Sequence, residues 1–283
     1  MMNVIMKADA LLKRYAAGER DFRNINLQGT TLCGVDLSQV NLRGADLTAA
    51  NLTGTCLKGA NLREAHLNQA NLRGTDLRQA NLIGSNLSLV NLTEANLSDA
   101  SLRAANLADA NLTGANLTEA ILSDALLRNA NLSRAKLIET PLNRSNMAYA
   151  LLTGASLEGA NLTHALLNGA NLKGANLSKA LLHGANFTGA DLSQANLSRV
   201  KANGANMADV ILTEANLRGG NFSWTTLRGA NLTKANLYRA KLCWSNLSGA
   251  ILVDAVLLDT NLDQVTLRDA DLTGAIMPEP DYS

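Results

Sequence analysis

Rings are nearly absent from this chain. Aromatic residues make up 3% of its 283 positions although hydrophobic residues reach 47%, so a core has to be assembled from leucine and alanine. Charge is scarce too: charged residues are 17%, below the roughly one quarter of an ordinary soluble domain. The 25 Lys and Arg against 24 Asp and Glu leave a net charge of +1. That balance offers neither the basic footprint of a nucleic-acid binder nor the negative excess of an acidic tail or nucleic-acid mimic. Direct nucleic-acid binding is not expected. Cysteine is limited to Cys33, Cys56 and Cys243, an odd number without CxxC spacing, which argues against a disulfide framework or a zinc site and suits a reducing compartment. Ahead of Lys7 the longest apolar stretch is Val4–Met6, too short for the core of a signal peptide, and no apolar run reaches bilayer-spanning length. The expectation is a soluble cytoplasmic protein that does not engage membranes.

What is present is a repeat. From Phe22 to Met277 every residue whose number ends in 2 or 7 is large and apolar, except Ala202, which makes 52 five-residue units without insertion or deletion. Forty-five of these positions are Leu. Two residues earlier, from Ile25 to Ala275, stands Ala, Val, Thr, Ser, Gly or Ile, and the residue between is usually Asn or Asp. Of 21 glycines, 19 lie two residues after the large apolar position.

The spacing decides the backbone. Residues two apart face the same side only in an extended chain. Alternation over an odd period would turn the next unit inside out, so a turn inside every unit must reset the phase. The glycine-rich position is where the turn's dihedrals come most easily. Helix is excluded, because an interval of five puts successive leucines about 140° apart around a helix axis. The chain must wind as short extended sides joined by corners, with Leu and Ala inward.

These A(N/D)Lxx units resemble the pentapeptide-repeat family, over essentially the whole chain after Arg20. The resemblance implies an all-β fold, a right-handed quadrilateral β-helix (a β-solenoid) with four units, or about 20 residues, per coil. Arg23, Arg43, Arg63 and Arg103, then Asp99, Glu119 and Glu139, and finally Trp224 and Trp244 all recur at multiples of 20. On that register 52 units make 13 coils, roughly 60 Å at about 4.8 Å per strand spacing.

A solenoid's ends expose apolar rings and unpaired backbone. Residues 1–20 are expected to form an amino-terminal helical cap: Lys7 to Ala17 favours helix, Leu11, Leu12 and Tyr15 can share one face, and Gly18 is a stop signal. The β-helix spans 21–277, and 278–283 is a proline-containing tail too short to bury a ring of leucines. End-to-end homodimerisation through the carboxyl end follows as an expectation. Inside the repeat, Ala202 removes core volume that Phe222 restores one coil later, with Gly220 making room. Pro141 removes one amide donor from the ladder.

No catalytic constellation is present, and no cofactor or metal site is expected. His66, His164 and His183 are all outward; His164 and His183 share a face on adjacent coils, but two imidazoles do not make a metal site. The glycines follow the period of the fold, not that of a phosphate loop. Sorted by face, the outward residues single out one side with Lys201 and Lys241, and near its carboxyl end Trp224 and Trp244. Exposed Trp with Lys or Arg is typical of partner anchors. Asp99, Glu119, Glu139 and nearby Glu158 form an acidic strip whose columns turn basic at Lys179, Arg199, Arg218 and Arg239.

The chain thus reads as a non-enzymatic interaction or scaffold protein with a protein partner. Within the family the resemblance points to, some members resemble the quinolone-resistance and gyrase-protecting proteins, which mimic duplex DNA through strongly negative faces. A net charge of +1 and one short acidic strip depart from that pattern, and a gyrase- or topoisomerase-binding role stands as the second reading. Uninterrupted repeats like these are abundant in cyanobacteria, where one relative acts in heterocyst differentiation.

Overall fold

Each five-residue unit contains five backbone amides, and the way these are satisfied explains the architecture. The computed structural model describes residues 5–279. Take the unit 91–95. Asn91 N–H donates to Ala70 O at 3.0 Å in the preceding coil, and Leu92 N–H and Glu94 N–H donate to Asn111 O (2.7 Å) and Thr113 O (3.0 Å) in the following one. Ala95 N–H closes a turn on Leu92 O at 3.0 Å. The fifth amide, that of Thr93, has no backbone partner and donates to the Asn91 side chain, Oδ1, at 3.1 Å. Asn and Asp are therefore the side chains that complete the hydrogen bonding of the unit, as buried and half-buried backbone groups require.

Parallel bridges join residues 20 apart, as in Asn51↔Asn71 and Asn176↔Asn196, so four units make a coil in each part of the chain. The corner residue, two after the leucine, has φ between 53° and 68° at every unit from Asn24 to Gly274. A left-handed third residue is what a type II turn requires. Glycine fills 19 of these corners and other residues 32. At several the glycine serves its neighbour as well: a Cβ on Gly169 would lie 2.6 Å from the Tyr149 ring, and one on Gly184 2.6 Å from His164 Nδ1.

The chain divides into two compact units, Met1–Pro141 and Leu142–Ser283. The division falls at the proline whose missing N–H leaves Ala120 O without the donor that the repeat otherwise supplies; Pro141 O still accepts from Leu122 N–H at 2.8 Å. Both units bury the same core, with leucines such as Leu107 and Leu197 fully enclosed and alanines such as Ala115 and Ala205 beside them. Inward hydroxyls bond to backbone carbonyls, as Thr75 Oγ1 does to Leu52 O at 2.8 Å. Among the described residues no buried side-chain polar atom lacks a partner. In the second unit Ala202 and Phe222 are both fully buried. A Cβ on Gly220 would come within 2.5 Å of the Phe222 ring, so the glycine makes the room that this ring takes up.

Helix α1 spans Ala8–Ala16. Gly18 ends the segment in a left-handed conformation, φ 95°. Ile5 bridges to Asn26, Tyr15 Oη donates to Ser38 O at 2.8 Å, and the Arg14 guanidinium sits 5.1 Å from the centre of the Phe22 ring. Leu11 is fully buried, whereas Leu12 and Tyr15 are half-exposed. Phe22, Leu27, Leu32 and Leu37 are enclosed, while Ile25, Thr30 and Val35 in the same coil are not. At the other end Leu262, Leu267 and Leu272 occupy core positions and are only half-buried. Residues 1–4 of the expected cap and 280–283 of the expected tail lie outside the described residues.

Candidate protein-interaction site

With the core so uniform, specificity has to come from the outward columns, and the structure places these by stacking. Trp224 and Trp244 occupy corner positions of neighbouring coils, Trp224 N–H donating to Cys243 O at 2.9 Å. Their backbones are left-handed, φ 61° at each, a conformation that bulky side chains seldom adopt. The rings stack with centroids 5.1 Å apart and planes 4° from parallel. Even so, the residues remain 63% and 53% exposed. Mutual stacking covers one face of each ring and leaves an aromatic plate open to solvent.

The same side carries Lys201 and Lys241, each bridged to Asn221 from opposite sides. Both lysines are exposed, and neither takes part in an ion pair among the described residues. The face therefore presents cations beside aromatic surface, the composition expected from the spacing of 20.

Asp99 and Glu119 stand in one exposed corner column of the first unit, with Glu139 next in it; Asp99 N–H donates to Thr118 O at 3.1 Å and Glu119 N–H to Ile138 O at 3.0 Å. Glu158, in the second unit, is engaged by Lys179 Nζ at 2.8 Å. The positions where the columns turn basic include Arg199, Arg218 and Arg239, and these line a shallow groove together with Gly219. Sequence columns showed the change of sign but not the concavity, because the groove depends on a glycine between two arginines in the stacking direction.

His164 and His183 are neighbours, with His164 N–H donating to His183 O at 2.9 Å. Among the described residues no group of three His, Cys, Asp or Glu could hold a metal ion. Cys33, Cys56 and Cys243 are free thiols. No helix among the described residues is long and apolar enough to cross a membrane.

The family model described as "Pentapeptide repeats (8 copies)" matches ten stretches of the chain, from 21–59 to 244–277. None of the curated proteins matches the sequence. Among solved structures the chain is similar to HetL, a pentapeptide repeat protein involved in heterocyst differentiation regulation from the cyanobacterium Nostoc sp. strain PCC 7120. The two are 33% identical over 98% of this chain and 100% of that one, with a TM-score of 0.25. It is also similar to alr5209, a pentapeptide repeat protein from Nostoc PCC 7120, at 36% identity over 38% of this chain and 82% of that one, TM-score 0.23. QnrB1, a plasmid-mediated fluoroquinolone resistance protein, is 18% identical over 87% of this chain and 89% of that one, TM-score 0.32.

Proposed function

The chain belongs to the pentapeptide repeat family, and from that premise we propose that it works as a non-catalytic interaction or scaffold protein. Its anchor for a protein partner is the Trp224–Trp244 plate flanked by Lys201 and Lys241. The observation that carries this reading is the pair of parallel rings more than half exposed. Leaving tryptophan in water forgoes the burial of a large apolar surface, and tryptophan is enriched where interfaces concentrate their binding energy. A pull-down from native lysate tests it, comparing wild type with the Trp224→Ala/Trp244→Ala double variant. Specific partners should disappear from the variant; an unchanged partner list removes the tryptophans from the function.

A second reading is a DNA-mimicking protein that binds gyrase or a related topoisomerase. It draws on the exposed carboxylates Asp99, Glu119 and Glu139, which recur at one coil position. A supercoiling assay decides, since neither inhibition nor protection of gyrase at micromolar protein ends it.

The proposal extends to the frame of the molecule. It comprises thirteen coils' worth of right-handed repeat over 21–277, with residues 1–20 as an amino-terminal cap and 278–283 as a tail; the 20-residue bridges support the four-unit coil and the contacts of α1 with the first coil support the cap. A second copy joins at the carboxyl end, where half-buried Leu262, Leu267 and Leu272 leave an apolar ring open. The free thiols support a reducing, cytoplasmic setting, and fluorescence imaging of a tagged full-length chain in its own cells checks that location.

A further inference from the structure

Away from the tryptophans, the second unit carries the shallow groove lined by Ser198, Arg199, Asn216, Arg218, Gly219 and Arg239. The corner column through it runs Lys179, Arg199, Gly219, Arg239, Asp259, one residue per coil. The backbone bonds Lys179 N–H to Ser198 O, Arg199 N–H to Arg218 O and Gly219 N–H to Tyr238 O follow that order. Gly219 therefore opens a gap one side chain wide between two arginines. A Cβ there would already approach Arg199 Cγ to 3.8 Å.

Two of the guanidinium groups share one aromatic ring. The Arg218 and Arg239 Cζ atoms lie 4.8 Å and 4.9 Å from the centre of the Tyr238 ring, so one aromatic ring positions both cations. Arg239 uses only Nε on Asp259 Oδ2, at 3.2 Å, and its terminal nitrogens make no hydrogen bond among the described residues. Arg199 and Arg218 have no carboxylate partner there at all. At the two ends of the column the charge is closed off, by Glu158 against Lys179 and by Asp259 against Arg239. Two uncompensated positive charges and a third guanidinium thus face a gap bounded on both sides.

We propose that this groove binds a single phosphate group. Guanidinium forks match phosphate oxygens geometrically, and a phosphate monoester carries about −1.5 to −2 charges near neutral pH, which balances the excess here where a lone carboxylate would not. The acidic residues at both ends of the column exclude a continuous polyanion, so the ligand is one phosphoryl group, either a free ion or the modified side chain of a protein.

Calorimetric titration of the full-length chain at low ionic strength tests this, because screening weakens exposed ion contacts at higher salt. Inorganic phosphate and a short phosphoserine peptide with its unphosphorylated twin serve as probes. Saturable binding is expected, with Arg199→Gln and Arg218→Gln each weakening it about tenfold or more, given the strength of charge-assisted hydrogen bonds. Lys173→Gln, on another side, leaves it unchanged. Gly219→Asp places a carboxylate in the gap and should abolish binding; Asp209 shows that this residue type adopts the same left-handed corner, φ 55°. A phosphopeptide that binds at least about tenfold tighter than inorganic phosphate identifies a modified protein side chain as the ligand, whereas equal affinities identify the free ion; a tenfold ratio is about 1.4 kcal/mol. Absence of saturable binding by either probe up to about 10 mM overturns the proposal. So does binding that is the same in wild type and all the groove variants.

Discussion

At the residue scale, the repeat is governed by one hydrogen bond. The amide after the inward leucine has no backbone acceptor, and where Asn or Asp precedes that leucine its side chain supplies one, as in Ser98 N–H to Asn96 Oδ1 at 3.1 Å. Asn96 also accepts from Asn116 Nδ2 at 3.3 Å. Asn96→Ala should therefore cost about 1–2 kcal/mol, the range for a hydrogen bond lost with its partner left half-buried, measured by urea denaturation. Aspartate in this position brings a dependence on acid. The Ser38 amide, followed by its hydroxyl, holds the Asp36 carboxyl below its usual range. The Arg78 guanidinium does the same for Asp76 against the opposing effect of burial, and the Thr273 hydroxyl for Asp271. A depressed folded-state value means that the stabilisation is fully present above the ordinary aspartate range, near about 3.9, and is lost as pH falls through the lower folded-state values. The melting temperature should hold steady from neutral pH to about pH 5 and fall below about pH 4. Asp36→Asn keeps the acceptor and removes the titration, so its neutral Tm should match wild type while its acid loss is smaller.

At the scale of the element, stability passes from coil to coil, because each coil contacts only its neighbours. Leu11 is the one fully buried residue of α1. Leu11→Ala should cost about 2–4 kcal/mol, as for other buried leucines. The loss is local: hydrogen exchange should rise at the Phe22 and Asn24 amides, which bond to Asn41 O and Arg43 O, and stay unchanged in the second unit. Core volume is likewise shared between adjacent coils. Ala202→Leu alone overpacks against Phe222 and should cost about 1–3 kcal/mol. Combined with Phe222→Leu it should cost less than the sum of the two single changes, a coupling that a double-mutant cycle reads directly.

Across the whole molecule the ends and the columns carry what the repeat leaves unspecified. The two ends differ: the first coil lies against α1 and has its large apolar residues enclosed, whereas Leu262, Leu267 and Leu272 in the last are half-exposed. Light scattering of the full-length chain at micromolar concentration should report a dimer that Leu267→Lys converts to monomer. A wild-type monomer would refute the end-to-end contact.

How much of this could be read beforehand differs by feature. Period five with inward residues two apart admits few ways to wind, so the winding, its corners, the enclosed leucines and the room that Gly220 leaves for Phe222 were all legible. Columns at a spacing of 20 brought Trp224 and Trp244 together correctly. Asparagine's task was not legible, because composition shows that the residue recurs and not which amide it satisfies. The arginine groove was hidden for a related reason. Its shape arises from Gly219 between two coils and from one tyrosine ring that holds two guanidinium groups, contacts between residues about 20 apart whose side chains have no periodic rule. Local pattern decides where the backbone turns, since that is a matter of sterics and inward apolar burial. Which outward groups meet, and at what distance, is decided only when the coils stack.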